Sequence, residues 1–96
     1  MKTFKDIKFK QHRLGKGNIQ GLLKLDNGIE LSVVAGEGMY SSGKGGVRKP
    51  IDKVEDAISF EVAVFDQDGN FIGADNDLVL GWQSREDICK LIQIHS

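Results

Sequence analysis

The sequence contains no long hydrophobic run, and it has one cysteine, one proline and one tryptophan. Because no window approaches the roughly 18 apolar residues of a membrane helix, no membrane contact is expected. The first residues, Met1 to Asp6, lack the apolar stretch of a secretory signal peptide. A single cysteine excludes an internal disulfide and is typical of a reducing compartment, so a cytoplasmic protein is predicted.

Residues that carry out chemistry are also scarce. His12, His95 and Cys89 do not have the spacing of a zinc site, and Cys89 is interpreted as a core thiol. The chain offers no nucleophile with an adjacent base and orienting group, no metal site and no complete phosphate loop. We therefore expect a protein that is not an enzyme and that carries no cofactor.

The residues that are present suffice for one domain. A length of 96 residues predicts a single domain, 1–96, with one modest core and little room for an enclosed pocket. Many proteins of this size place their ligand sites between subunits, so a homo-oligomer is expected.

The net charge of −1 conceals an uneven distribution, because ten of the fourteen acidic residues lie from Asp52 onward. The first sixteen residues carry six basic side chains: Lys2, Lys5, Lys8, Lys10, Arg13 and Lys16. A basic end attracts phosphates or nucleic acid. Alternatively, the lysines line the solvent face and edge of a first strand and block edge-to-edge pairing, which is the favoured interpretation. Residues 3–10, which alternate around Ile7 and Phe9, are predicted to form that strand.

A hairpin is predicted for residues 19–35, with its turn at Asp26–Gly28. Two registers are possible, and side-chain parity distinguishes them. A two-residue loop would pair Leu25 with Glu30 and mix apolar and polar side chains on one face. A three-residue loop pairs Leu25 with Ile29 and sorts both faces, so this register is predicted. It places the glycine of the turn in the left-handed conformation.

Residues 58–73 repeat this pattern around the turn Gln67–Gly69, which pairs Phe65 with Phe71. The stretch Asp66–Asn70 begins like a calcium loop, but its glycine stands at the wrong position and a hairpin turn is favoured. Both faces of the first strand carry apolar residues, which predicts a central strand with something packed on each face. One face is expected to hold Ile58, Phe60, Val62 and Val64.

The remaining segments complete the fold prediction. Pro50–Ala57 is predicted to hold a short helical turn that starts at its proline. A break at residues 74–77 and a short apolar run at 78–82 precede a helix from Ser84 to Ile94, in which Ser84 and Asp87 form a capping box. The predicted class is α+β, a mainly antiparallel sheet of about five strands (two hairpins) with a C-terminal helix.

The segment Gly36–Lys49 is the first candidate for a binding site. It nearly matches the phosphate-binding P-loop, but Gly45 stands where that loop has serine or threonine, and no helix follows, so an NTPase is disfavoured. Its glycine amides can instead form an anion site, to which Lys44, Arg48 and Lys49 add positive charge. Tyr40 could stack on a base beside it. The alternative is a mobile surface loop without a ligand.

A resemblance to known proteins is carried by five segments: His12–Gln20, Leu25–Val34, Phe60–Asn70, Asp77–Trp82 and Ser84–Ile88. On these residues the chain resembles a recurrent family of small tailed-phage proteins, most of unknown role. The resemblance covers most of the chain outside residues 47–57. Its motifs are turns and core positions, so it implies a phage origin and a fold more than a reaction.

Small phage proteins without catalytic residues often counter host defences. Two such classes fit the chain, and one is a signal-binding protein that resembles the Thoeris anti-defence and anti-CBASS proteins, which sequester cyclic nucleotide or cyclic ADP-ribose signals between subunits. The binding residues of that class do not match this sequence one by one. The other is that of the anti-CRISPRs, which bind a host defence protein. The glycine-rich cationic segment favours the first class. A phage structural or recombination accessory protein is a third alternative.

The expected ligand is therefore a nucleotide-derived signal in the cytoplasm of an infected bacterial host, held at a subunit contact. Its phosphates would meet Lys44, Arg48 and the loop amides. Arg13 or Arg85 of a neighbouring subunit would complete the clamp. A base would stack on Tyr40 or on Trp82, although the favoured interpretation of Trp82, at the join of strand and helix, is a core anchor. The predicted ligand-binding residues are Arg13, Tyr40, Ser42, Lys44, Arg48, Trp82 and Arg85.

Overall fold

The computed structural model describes residues 2–13, 15–72 and 79–96. These residues form an antiparallel sheet with one C-terminal helix, which confirms the predicted α+β class. The strands and the helix are β1 (Lys8–Gln11), β2 (Asn18–Lys24), β3 (Glu30–Gly36), β4 (Ser42–Gly43), β5 (Ala57–Phe65), β6 (Leu80–Gln83) and α1 (Arg85–His95). Short 3-10 turns occupy Phe4–Asp6, Lys44–Gly46 and Val54–Asp56.

The strand order is β1-β2-β3-β5, and β4 and β6 both pair with β5. All of these pairings are antiparallel. The position of β5 among three partners confirms the prediction that it is central. The described residues contain six strands, one more than expected, because β4 is a two-residue strand that no periodic pattern marks.

The first hairpin has the predicted register. Leu23 pairs with Leu31, and the Leu25 amide donates to the Ile29 carbonyl at 2.7 Å. Gly28 has φ +91°, which glycine adopts at little cost because it lacks a Cβ. The three-residue loop is therefore confirmed, together with the sorting of side chains that predicted it.

The second turn is also confirmed. Phe65 pairs with Phe71, and Gly69 has φ +83°. One carboxylate oxygen of Asp66 accepts from the amides of Asp68 and Asn70, both at 2.9 Å, so this acidic stretch closes a hairpin turn. The predicted continuation of the return strand to residue 73, the break at 74–77 and the start of the apolar run at residue 78 lie outside the described residues.

The core lies between the sheet and α1. Ile88 and Ile92 of the helix are fully buried with Phe60, Val62 and other strand residues. The helix begins where its cap was predicted. The Ser84 hydroxyl accepts from the Asp87 amide, and the Asp87 carboxylate accepts from the Ser84 amide, both at 3.0 Å. These contacts fix the start of α1 directly after β6.

The prediction of one strand over residues 3–10 is wrong in its first half. Thr3 and Asp6 form a capping box around the turn Phe4–Asp6, in which each side chain binds the backbone of the other residue. These local bonds compete with sheet pairing, so β1 begins only at Lys8. Lys8 and Lys10 are exposed on β1, an edge strand, as the favoured interpretation of the basic segment predicted.

Two further details differ from prediction. Pro50 is not helical, because the Ile51 amide bonds to the Gly17 carbonyl at 2.9 Å, and the helical turn covers only Val54–Asp56. Ile58 does not share the buried face of β5. It is an extra residue in the pairing with β4, and this bulge leaves its side chain 46% exposed.

Within the part of the chain that the structure describes, no helix combines the length and the apolar character needed to cross a membrane.

Candidate functional site

The segment between β3 and β4 is anchored at several points. Met39 and Ser41 are buried, and the Ser41 hydroxyl bonds to both the amide and the carbonyl of Gly36. The chain then enters β4, where Ser42 pairs with Ser59. The first half of the predicted loop is therefore held against the sheet, and Tyr40, one of its exposed residues, projects from a fixed backbone.

The Tyr40 backbone is hydrogen-bonded to both β5 and β6. Its amide donates to the Glu61 carboxylate of β5 at 3.2 Å, and its carbonyl accepts from the Trp82 amide of β6 at 2.8 Å. The Tyr40 and Trp82 rings lie 5.4 Å apart, centre to centre, at an angle of 40°. Both side chains are open to solvent, 49% for Tyr40 and 60% for Trp82. The interpretation of Trp82 as a core anchor is therefore wrong.

The backbone of Trp82 is strained. Its φ of +51° is the only positive value recorded for a residue other than glycine among those described. The cause is a bulge, because β6 pairs Leu80 with Val62 and Gln83 with Phe60, which leaves one extra residue in β6. A left-handed conformation costs a residue with a side chain roughly 1–2 kcal/mol. Here that cost is borne by an exposed tryptophan.

Arg48 lies over the Tyr40 ring. Its guanidinium carbon is 5.7 Å from the centre of the Tyr40 ring, within the range of a cation–π contact, and the residue is exposed. We call Tyr40, Trp82 and Arg48 the aromatic platform. It combines two flat apolar surfaces with a cation that binds planar oxyanions in a bidentate manner.

Ser42 and Arg85, which were predicted to bind ligand, have structural partners instead. The buried Ser42 hydroxyl lies 2.6 Å from that of Ser59. Arg85 donates to the carbonyls of Ala57 and Val54 at 2.9 and 2.8 Å, and its guanidinium stacks over the rings of Phe4 and Phe60.

Lys44 and Arg13 belong to elements other than those that hold the platform. Lys44 starts a short 3-10 turn, and its amine is 3.6 Å from the Asp56 carboxylate with both groups solvated. Arg13 is exposed in the connection between β1 and β2, at the opposite end of the strand order from β6. Within one chain, the structure thus brings together three of the seven predicted residues.

Two supporting residues were missed by the sequence reasoning. Glu61 fixes the Tyr40 backbone, and Gly81 lets Tyr40 lie close against β6. A Cβ on Gly81 would lie 3.0 Å from the Tyr40 Cβ, tighter than an ordinary contact. The glycine that directly precedes the tryptophan was the available sequence signal for this approach.

Across residues 2–13, 15–72 and 79–96, no group of three or more histidine, cysteine, aspartate or glutamate side chains is placed to hold a metal ion. No protein-family model, curated protein or solved structure matches the chain. Function has therefore to be inferred from the platform and from the sequence resemblance.

Proposed function

We propose that the protein is a phage anti-defence protein that binds and sequesters a nucleotide-derived immune signal on the aromatic platform, without catalysis. The signal would be a cyclic oligonucleotide or a cyclic ADP-ribose isomer in the cytoplasm of the infected host. One observation carries the proposal: an exposed tryptophan occupies a strained backbone position next to an exposed tyrosine.

Folding alone does not account for this arrangement. A left-handed bulge residue favours glycine, and an exposed ring gains little from burial. Strained backbone concentrates at functional sites, where the surrounding structure holds it in place. The hydrogen bond from the Trp82 amide to Tyr40 and the bulge in β6 supply that support here.

The chemistry of the platform suits a nucleotide. Stacking of a base on an aromatic side chain contributes about 1–3 kcal/mol and tolerates any base, because every base has a flat face. Arg48 offers a charge-assisted, bidentate contact to a phosphate. The Glu61 carboxylate would repel a phosphate near the Tyr40 amide, so the phosphate should lie on the Arg48 side of the tyrosine ring.

Calorimetric titration with cyclic di- and trinucleotides and with cyclic ADP-ribose isomers tests the proposal. Arg48→Ala should weaken binding by about 1.5–3 kcal/mol, tenfold or more, because a charge-assisted bond is lost. Trp82→Ala should weaken it comparably. Phe71→Ala is the matched control, since Phe71 is 47% exposed and lies 4.7 Å from the Phe65 ring in a pair without arginine.

Mass spectrometry of small molecules released by heat from protein purified out of signal-producing cells identifies the ligand. Absence of binding to every compound, together with no released nucleotide, would contradict the proposal. If Phe71→Ala weakened ligand binding as much as Trp82→Ala, the ligand would not bind at the platform.

An anti-CRISPR-like inhibitor is the second candidate, favoured by the composition of the same surface. Tryptophan, tyrosine and arginine dominate binding energy at protein interfaces. In that case a host defence effector would co-purify with the protein and lose activity, and Trp82→Ala would abolish both effects while no nucleotide bound.

A further inference from the structure

The strand β1 is an edge of the sheet, because β2 is its only strand partner in the described part of the chain. An antiparallel ladder alternates between residue pairs that exchange hydrogen bonds and pairs that do not. The His12 amide, just beyond β1, donates to a carbonyl of β2 at 2.8 Å, so the alternation directs the backbone groups of Lys8 and Lys10 toward β2 as well. The amides and carbonyls of Phe9 and Gln11 therefore point away from β2, toward the open edge.

The side chains of β1 give this edge a charge pattern. Lys8 and Lys10 are exposed on the face opposite the core. Within the residues that the structure describes, neither lysine forms an ion pair. Phe9, between them, is half-buried on the core side, where its ring centre lies 5.8 Å from that of Phe4 and 5.6 Å from that of Phe60. The edge thus presents two uncompensated cations on one face and an aromatic ring on the other.

We propose that β1 binds an extended acidic segment of a partner protein, which adds to the sheet as a further antiparallel strand. Phe9 and Gln11 supply the main-chain hydrogen bonds of such a strand addition. Lys8 and Lys10 then stand in the non-hydrogen-bonded pairs, where side chains on neighbouring strands are closest. The recognised segment carries acidic residues opposite both lysines and an apolar residue between them, opposite Phe9. The inference stands independently of the proposed function, since the platform belongs to the other end of the strand order.

The two lysines decide which strand can occupy the edge. A second copy paired about Phe9 would place Lys8 of each copy opposite Lys10 of the other, and like charges directly opposite each other are destabilising. Edge lysines protect sheets from self-association in this way. An acidic segment reverses the sign of the interaction. A nucleic acid would also be attracted by the lysines, but it has no peptide groups to pair with the edge backbone.

Fluorescence anisotropy with the full chain and a short labelled peptide, in which glutamate alternates with valine, tests this inference. The peptide should bind saturably, and a peptide with lysine in place of glutamate should bind about tenfold more weakly or less. In the proposed register the valine amides face Phe9 and Gln11, and the glutamate amides face solvent. Methylation of the valine nitrogens should therefore weaken binding about tenfold, whereas methylation of the glutamate nitrogens, the matched control, should change it little.

On the protein side, the charges of β1 can be reversed. The double variant Lys8→Glu with Lys10→Glu should exchange the preference, so that affinity for the glutamate peptide falls about tenfold or more and the lysine peptide binds instead. The double variant Lys53→Glu with Lys90→Glu makes the same change of net charge at exposed sites outside β1. It should bind the glutamate peptide nearly as the parent does.

Gln11→Pro removes a donor from the edge without touching the charges. Because the Gln11 amide does not pair with β2, proline should leave the sheet intact, which circular dichroism checks, and should weaken the glutamate peptide about tenfold. A parent that does not bind the glutamate peptide would overturn the inference, and binding of a single-stranded oligothymidylate through the same lysines would then identify a phosphate-binding edge. Equal binding of the two methylated peptides, or an unchanged preference in the variant with both β1 lysines reversed, would overturn it as well.

Discussion

Two aromatic pairs lie at the protein surface, and their backbones are held in opposite ways. Phe65 and Phe71 face each other beside a three-residue turn whose left-handed position belongs to Gly69. Tyr40 and Trp82 face each other at a bulge whose left-handed position belongs to the tryptophan itself. The first pair follows from ordinary turn chemistry, whereas the second places strain on an exposed side chain.

The difference separates the frame of the molecule from its candidate site. Variants in the frame, meaning the two turns, the core and the helix cap, should change stability and leave ligand binding intact. Variants in the aromatic platform should change binding and leave stability nearly intact. Single substitutions of both kinds test whether stability and binding respond separately.

Gly28→Val should have the largest effect in the frame. Valine at φ +91° is strained, and its Cβ would approach the Gln67 Cγ to 2.8 Å, where Gln67 links the two turns by a hydrogen bond to the Asn27 carbonyl. We expect a loss of about 2–3 kcal/mol in the free energy of unfolding. Urea unfolding followed by circular dichroism measures it.

Gly69→Val is the matched control for that turn. Gly69 has a similar φ of +83°, but a Cβ there would meet nothing within 4 Å. It should therefore cost only the backbone strain, about 1–2 kcal/mol. Parent-like stability in both variants would refute the three-residue register.

The helix cap should respond to pH. The Ser84 amide, which donates to the Asp87 carboxylate, lowers the pKa of Asp87, with a second contribution from the Ser84 hydroxyl. Since the folded pKa lies below the unfolded one, the stabilisation is complete above the unfolded value, about 3.9, and is lost as pH falls through the folded value. Asp87→Asn should be less stable than the parent at neutral pH, and the difference should vanish in acid.

Unfolding free energies of the parent and Asp87→Asn across this pH range measure the effect, and the other acids cancel because both chains contain them. Glu86→Gln, in the same helical turn, is the control and should change stability less. A constant difference at every pH would mean that the Asp87 charge does not act through the cap.

Trp82→Gly should change stability least. It relieves backbone strain of roughly 1–2 kcal/mol and removes a ring contact of about 0.5–1.5 kcal/mol, so the two effects nearly cancel. Trp82→Ala keeps the strain and loses the contact, so it should be the less stable of the two. If Trp82→Gly lowered the free energy of unfolding by about 3 kcal/mol or more, as truncation of a core aromatic does, Trp82 would belong to the frame as well as to the platform.

The turns and the helix could be predicted because several local signals agreed. Side-chain parity and the position of Gly28 both required the same register, and Ser84 and Asp87 have the spacing of a capping box. The bulges at Ile58 and Trp82 could not be predicted, since an extra residue depends on a partner strand that the local pattern does not reveal. The meeting of Tyr40 and Trp82 is equally non-local.

The candidate site was predictable in its residue types and not in its grouping. Arg48 and Arg85 have the same chemistry in sequence, yet Arg85 is held by the Ala57 and Val54 carbonyls while Arg48 lies over Tyr40. The Ser42 hydroxyl likewise already has a buried hydrogen bond, to that of Ser59. Ligand contacts and internal hydrogen bonds require the same side chains, so only the packed structure separates them.

Because Trp82 is the single tryptophan of the chain and is 60% exposed, it gives the protein an optical reporter with an unusual bias. Selective excitation of the indole samples the platform and none of the core. Its emission in the folded state should already resemble that of a solvated indole, so unfolding should shift the spectrum little. A ring stacked on it should quench the emission strongly, so a fluorescence titration would record ligand binding almost free of any signal from unfolding.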